Sequence, residues 1–402
     1  MIHYAVSLLT MLFVIPTMFT QAPTTSNVSR MLHDLFNEDW QWQLKEDPEA
    51  ATWVGDNRYN DRLTDLSFEA IERRNAHERD MLTRLQHIDR SQLFGQDVIS
   101  YDLFLRNKQI AVEGQRYPLE LMPITQLGGP QLSFAQLVQV MPFLTAKDYE
   151  NYLARLAAFP KYIEQVMALM KRGIETQWVL PAVPLRSVPA QIERQIVENA
   201  AASPLYKPFE QFPPAMPEAE RQRLAAEGRK AITASIIPTL KTLNAFIKDT
   251  YLPVCRQEIS ASSLPNGAAF YAYTVRRATT THLSPRDIHE IGRGEVARIR
   301  QEMEAVIQQV GFKGSFQDFL TFLRTDPRFY YTKSEDLVMG YWDIAKRADA
   351  ELPKLFAELP RNTYGVREFP MFEAPAQTTA RYYAGAADGS RAGFYMVNTY
   401  RL

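Results

Sequence analysis

The chain has 402 residues, 45 Lys and Arg against 46 Asp and Glu, and an apolar fraction of 46%. That is enough for one large or two ordinary globular domains, and the near-neutral balance leaves no electrostatic case for a nucleic-acid or anionic-membrane partner. The single cysteine, Cys255, cannot form an internal disulfide, has no metal-ligand companions and reads as a buried, inert thiol.

Ala5 to Phe19 is almost wholly apolar apart from Pro16, and Thr20-Gln21-Ala22 puts small residues around a cleavage point. The run is short for a transmembrane helix and suits a signal-peptide core. Residues 1–22 are therefore expected to be a leader. The mature protein is expected to be exported, periplasmic or secreted, with no stable membrane association after leader removal. Two features depart from an ordinary leader: no Lys or Arg precedes the apolar core, and Pro23 follows the bond to be cut. No lipidation cysteine closely follows the run.

From Asn27 the pattern is helical. Leu32, Leu35, Phe36, Trp40 and Leu44 recur at three- and four-residue steps, and Asp47-Pro48 ends the helix. Ala51 to Asp65 reads as turn-rich. Ser67 caps a helix to about Ile88, with Ile71, Met81, Leu82 and Leu85 apolar; Ser100 to Val112 is another. Gly128-Gly129-Pro130 marks a loop. Thr145 caps a helix from Ala146 to Phe159, Pro160 is expected to break it, and a second helix runs from Tyr162 to Ile174. Val179 to Pro189 reads as an extended connection, and the prolines between Pro204 and Pro217 as a long loop. The helix period resumes from Arg223 to Lys248.

Ser284-Pro285-x-Asp287 is a helix start, with a Ser cap, Pro in the first turn and an acid to complete the box. Ile288, Ile291, Ile299, Met303, Val306 and Val310 then share a face. Stepping 100° per residue, Glu295 falls within that stripe, which makes it a buried polar candidate, paired with Arg276 or Arg277 or facing a substrate. His289-Glu290-x-x-Arg293 is not a zinc motif, because the second imidazole that must converge on the metal is replaced by Arg293. His282 precedes the cap, so nothing in the spacing brings it to His289. No glycine-rich phosphate loop or Gly-x-Ser-x-Gly elbow is present.

Ser315 caps a short helix to Arg324, and another begins at Ser334. Then the pattern changes: Phe369-Pro370-Met371, Thr378 to Tyr383 and Phe394 to Tyr400 read as short strands, with Ala387-Asp388-Gly389-Ser390 as a turn. Helices first and strands last is an α+β order. The expected fold is mostly α, a helical shell with a small C-terminal sheet.

Three stretches carry a resemblance: Ala51 to Ser67 (ATWVGDNRYNDRLTDLS), the Tyr273 region running into Thr279 to Ile299 (TTTHLSPRDIHEIGRGEVARI), and Asp388 to Tyr400 (DGSRAGFYMVNTY). Together they resemble the bacterial family called domain of unknown function 885, whose members resemble zincin-type metallopeptidases. The resemblance implies one mostly helical family domain over residues 27–402. In the family, a strand like the last one leads to a helix bearing a His-Glu-x-x-His zinc motif. No such motif follows here, so the domain is expected to be incomplete at its C-terminus and inactive as it stands. Zinc is implied for the complete family member and no cofactor for this chain. The implied substrate is small and peptide-like. The Phe394 to Tyr400 backbone would be a strand edge that holds it, with Asn398 adding an amide, Tyr395 a phenol and Arg391 a bidentate contact to a carboxylate. Two other functions fit the same residues: a helical binding or scaffold protein, and a non-metal hydrolase using Glu295.

Overall fold

A computed structural model describes residues 27–402; the expected leader, residues 1–22, lies outside them. The helix α1 (Asn27–Glu46) buries Leu32, Leu35 and Leu44, the apolar positions its spacing marks out. It is followed by a helix that the turn-rich reading of Ala51 to Asp65 misses, α2 (Pro48–Val54). Asp47 caps it by accepting from the Ala50 N–H, Pro48 occupies the first turn, and Gly55 closes it at φ +96°, where a side chain is disfavoured. These signals are local and complete; the polar residues after Gly55 masked them. Beyond it, α3 (Phe68–Gln86), capped by Ser67, and α4 (Gln96–Gly114) pack on α1.

After α5 (Pro130–Gln136) comes the centre of the body, α6 (Ala146–Thr176), 31 residues in one piece. Thr145 and Asp148 form its capping box. Pro160 does not break it. The lost N–H and the ring's crowding cost about 3 kcal/mol. Burying side chains such as Phe159 and Ile163 returns about 1.5–3 kcal/mol each, so the continuous helix wins. Its buried face, including Tyr149, Tyr152, Leu156, Ile163, Val166 and Met170, lies in the largest apolar cluster.

Val179 to Pro189, expected to be extended, holds two short helices, α7 (Ala182–Leu185) and α8 (Val188–Glu193); only Pro181 is bridged as in a sheet, to Arg256. The prolines sit at or just before helix starts, where a missing N–H costs nothing. Next, α9 (Glu218–Ala231) and α10 (Ile237–Phe246) are joined by a π-turn, Ile232–Ile236, and pack on α6.

At the middle of α6, Arg155 is fully buried. Its Nε donates to the Arg62 carbonyl, and its Nη2 to the carbonyls of Pro48 and Tyr59 and to Thr52 Oγ1. Burial pulls its pKa down to about 10. This one side chain fastens the whole 48–62 segment to the core.

The last helices are α11 (Gly267–Thr279), α12 (Pro285–Gln309), α13 (Phe316–Thr325) and α14 (Ser334–Leu355). Ser284 with Asp287 and Ser315 with Asp318 form the capping boxes of α12 and α13. Three strands close the chain: β1 (Tyr364–Glu368), β2 (Ala380–Tyr383) and β3 (Gly393–Val397). The first lies earlier than Phe369 to Met371, because Pro370 has no N–H for a ladder; Phe369 makes the last bond, to Val397. The mostly helical fold with a small C-terminal sheet is as the sequence pattern requires.

Candidate functional site

The sheet order is β1-β3-β2, with β3 parallel to β1 and antiparallel to β2. The expectation of a free edge at Phe394 to Tyr400 is therefore corrected: β3 is the central strand, paired on both sides. Its residues are the most apolar of the three strands, and a central strand is the one buried most. Among the described residues the unpaired edges belong to β1 and β2.

One face of the sheet looks into the body. Phe394, Met396 and Tyr383 are buried there with Phe369 and Ala374, against Trp53. The Trp53 and Tyr383 rings are 5.1 Å apart. Three polar side chains clamp this face. Arg391 Nη2 donates to the Trp53 carbonyl at 2.6 Å, and Nη1 to Ala384 O at 3.2 Å. Burial lowers its pKa. The Ala387 N–H donates to Val54 O at 2.9 Å, and a Cβ on Gly55 would stand 2.6 Å from that of Ala386. The stretches around Trp53 and Arg391, far apart in sequence, thus meet.

Asn398 Nδ2 donates to the carbonyls of Ala374, Gln377 and Thr378 at 2.8, 3.2 and 3.1 Å. The third clamp, Glu373, was not legible in the sequence. It is fully buried and accepts from the side-chain amides of Gln136, Gln139 and Gln377. Burial raises its pKa, against the opposing pull of those amides and Arg381. Nothing around Glu373 in the chain signals burial, since its partners Gln136 and Gln139 lie more than 230 residues away. Beside it, a cavity of about 640 Å³ opens between Gln139, Arg194, Lys207 and Met371.

The other face carries tyrosines. The register sets Tyr395 opposite Tyr382 on β2 and Val366 on β1, with Tyr364 two residues along the same face opposite Gly393, and Tyr341 of α14 approaches Tyr395 with ring centres 5.6 Å apart. Tyr364 donates to Asp349 at 3.0 Å, tying β1 to α14. A Cβ on Gly393 would collide with the Tyr382 hydroxyl. Burial raises the pKa of Tyr341, with Tyr395 adding to it, and burial together with Asp349 raises that of Tyr364. Tyr341 and Tyr364 are therefore protonated at neutral pH. Of the sequence-derived site residues, Tyr395 stands on this face, while Arg391 and Asn398 spend their donors on main-chain carbonyls and so set the sheet's position.

Glu295 is the second correction. It is exposed, not buried, and it pairs with Arg298 at 2.7 Å rather than with Arg276 or Arg277. The stripe of α12 on which it lies packs against little of the described chain. Arg276 instead pairs with Glu113. His282 and His289 are exposed, and Glu290 pairs with Arg293 at 3.3 Å. Among the described residues no group of three or more His, Cys, Asp or Glu is placed to hold a metal ion. Cys255 is buried and its thiol is pushed up to about 11, the inert state its surroundings require.

A separate charged network lies between α1, α3 and α4. Lys108 is buried with its Nζ 2.8 Å from Asp39 and 3.0 Å from Glu78, and His77, stacked on Trp42, shares the same Asp39 oxygen at 2.9 Å. His77 is thus a packing residue. The network floors a cavity of about 560 Å³ walled by Phe36, Trp40 and Phe104.

Over residues 48–402 the sequence matches the family described as "Bacterial protein of unknown function (DUF885)". No curated protein matches it. Among solved structures, a candidate lipoprotein from Colwellia psychrerythraea is similar with a TM-score of 0.81 and 20% identity, over 94% of this chain and 68% of that one. A candidate lipoprotein of unknown function from Shewanella oneidensis is similar with a TM-score of 0.59 and 14% identity, over 93% of this chain and 65% of that one. At these identities the likeness shows a shared fold. This chain spans about two thirds of the length of each of these proteins.

Proposed function

This chain belongs to the DUF885 family, and from that premise we propose that it is the substrate-holding part of an exported, metallopeptidase-like hydrolase that grips extended, peptide-like molecules. The observation that carries this reading is the tyrosine cluster formed by Tyr364, Tyr382 and Tyr395 of the sheet with Tyr341 of α14, on a sheet clamped from behind by Arg391, Glu373 and Asn398. A binding surface needs its side chains held in place before the ligand arrives, since ordering them afterwards costs affinity. A phenol hydroxyl such as that of Tyr382 or Tyr395 donates to a peptide carbonyl, and the rings cover apolar side chains. The unpaired edge of β2, with Arg381 and Tyr382 exposed, offers main-chain groups for strand addition.

Hydrolysis of a peptide bond needs an activated water. In a zinc enzyme the metal supplies it. No group among the described residues is placed to hold a zinc ion, and holding is the function assigned to this chain. No helix among the described residues is long and apolar enough to cross a membrane. The Glu295 hydrolase reading gains no support from a carboxylate in an exposed surface pair.

The test is titration of fluorescent, extended peptides into the purified chain. Binding is expected, with at least a tenfold weakening in Tyr395→Ala and no cleavage in the presence of chelator. Equal binding by Tyr395→Ala, or turnover with chelator present, overturns the reading.

A further inference from the structure

The charged network between α1, α3 and α4 leaves one acceptor unfilled. Asp39 is satisfied on both oxygens: Lys108 Nζ and His77 Nε2 donate to Oδ1 at 2.8 and 2.9 Å, and Gln43 Nε2 to Oδ2 at 2.6 Å. Glu78 receives Lys108 on Oε1 at 3.0 Å, and its Oε2 has no partner among the described residues. Glu78 lines the cavity of about 560 Å³ that the network floors, with 23% of its side chain exposed there. That volume lies within the range of small-molecule sites, about 300–1,000 Å³. The same cavity is lined by Ser100 and Asn107, whose side chains also have no partner among the described residues, and by the rings of Phe36, Trp40 and Phe104.

These groups select one kind of occupant. A carboxylate oxygen only accepts, so the free Oε2 calls for a donor, and a charged donor bonds it most strongly. An anion entering the cavity would meet two carboxylates, and the one ammonium there, Lys108, already spends two of its three donors on them. Aromatic ring faces attract a cation as well, and one already does so: the Lys108 ammonium lies 5.0 Å from the centre of the Phe104 ring. We propose that this cavity is a binding site for a small organic amine. Its ammonium bonds Glu78 Oε2, and its hydrocarbon body lies against Trp40 and Phe36. Ser100 and Asn107 offer further acceptors for the remaining ammonium protons. This inference does not rest on the peptide-holding reading, since the cavity belongs to α1, α3 and α4 and not to the sheet.

The experiment is isothermal titration calorimetry of the full chain at neutral pH with three probes of similar shape: phenethylamine, phenethyl alcohol and phenylacetate. Each is taken past about 1 mM, so that a Kd of that size is read. Phenethylamine is expected to bind, the alcohol at least about tenfold more weakly, and phenylacetate not at all. Glu78→Gln removes the charge and keeps an oxygen for Lys108. It is expected to melt like the parent and to weaken the amine at least about tenfold, with the alcohol unchanged. Trp40→Ala is expected to weaken both. No binding of the amine, equal binding of amine and alcohol, or stronger binding of phenylacetate overturns the proposal. So does amine binding that survives either substitution unchanged, which would place the ammonium elsewhere. The three probes on the unaltered chain decide the matter even where a variant melts early.

Discussion

Two helices of this protein carry equally clear amphipathic patterns and meet opposite fates. The apolar face of α6 is buried by α9, α10 and the aromatic residues of the 205–212 segment. The apolar stripe of α12 lies open to solvent along nearly its whole length. Caps do not distinguish them, since each has a complete capping box. Local sequence decides that a helix forms and which face is apolar. Whether that face is covered depends on what the rest of the polypeptide brings to it. The same logic explains why Glu295 reads as buried from its spacing and is exposed in the folded chain.

The comparison breaks most visibly with a truncation in α6. Leu156→Ala removes a fully buried side chain at the heart of the largest cluster. It should cost about 2–5 kcal/mol, the range for a buried leucine that leaves a cavity. Urea denaturation measures it. A loss under about 1 kcal/mol, the mark of a site that is exposed or collapses freely, would mean that α6 is not the centre of the body.

Glu373 sharpens the comparison, because it is a carboxylate that the fold does bury, whereas Glu295 is left in water. Its folded pKa is raised above the ordinary 4.5. A raised acid makes its full contribution below the unfolded value, where it is protonated in both states, and loses it as pH rises through the folded value. Melting of the wild type should therefore fall, relative to Glu373→Gln, as pH climbs from 4.5 upward. Near-ultraviolet circular dichroism of the tyrosines follows the sheet through this range. Parallel profiles for the Glu373→Gln variant and the wild type would mean that this carboxylate titrates as an ordinary one in the fold.

How much of this was legible in the sequence follows from the range of each interaction. The helix starts at Ser67, Thr145, Ser284 and Ser315 were legible because a cap is written within four residues. The continuity of α6 through Pro160 was not, because it depends on burial gained from other segments. Strand order was not either: β3 reads as the last strand and so as an edge, but the chain returns it between β1 and β2. Of the site, Tyr395 was named only through the family resemblance, and its neighbour Tyr382 follows from a register that no local pattern writes. Arg391 and Asn398 were expected to meet a substrate, whereas their donors go to Trp53 and the 374–378 turn, partners that only the fold brings to them. Glu373 left no trace at all, since a buried carboxylate is recognised by what surrounds it.

The smallest expected effect is the most discriminating. Ile299→Ala on α12 removes the same kind of apolar side chain as Leu156→Ala on α6. On the free chain it should change stability by no more than about 0.5 kcal/mol, as for an exposed surface site. The higher helix propensity of alanine even favours the variant by a few tenths. Thermal unfolding of the two variants side by side reads the contrast directly. A cost above about 1.5 kcal/mol for Ile299→Ala would place that side chain in a packed environment, and α12 would then be covered by something already present in the purified protein. The near-silence of this substitution, set beside the large loss in α6, is what an unpartnered face requires.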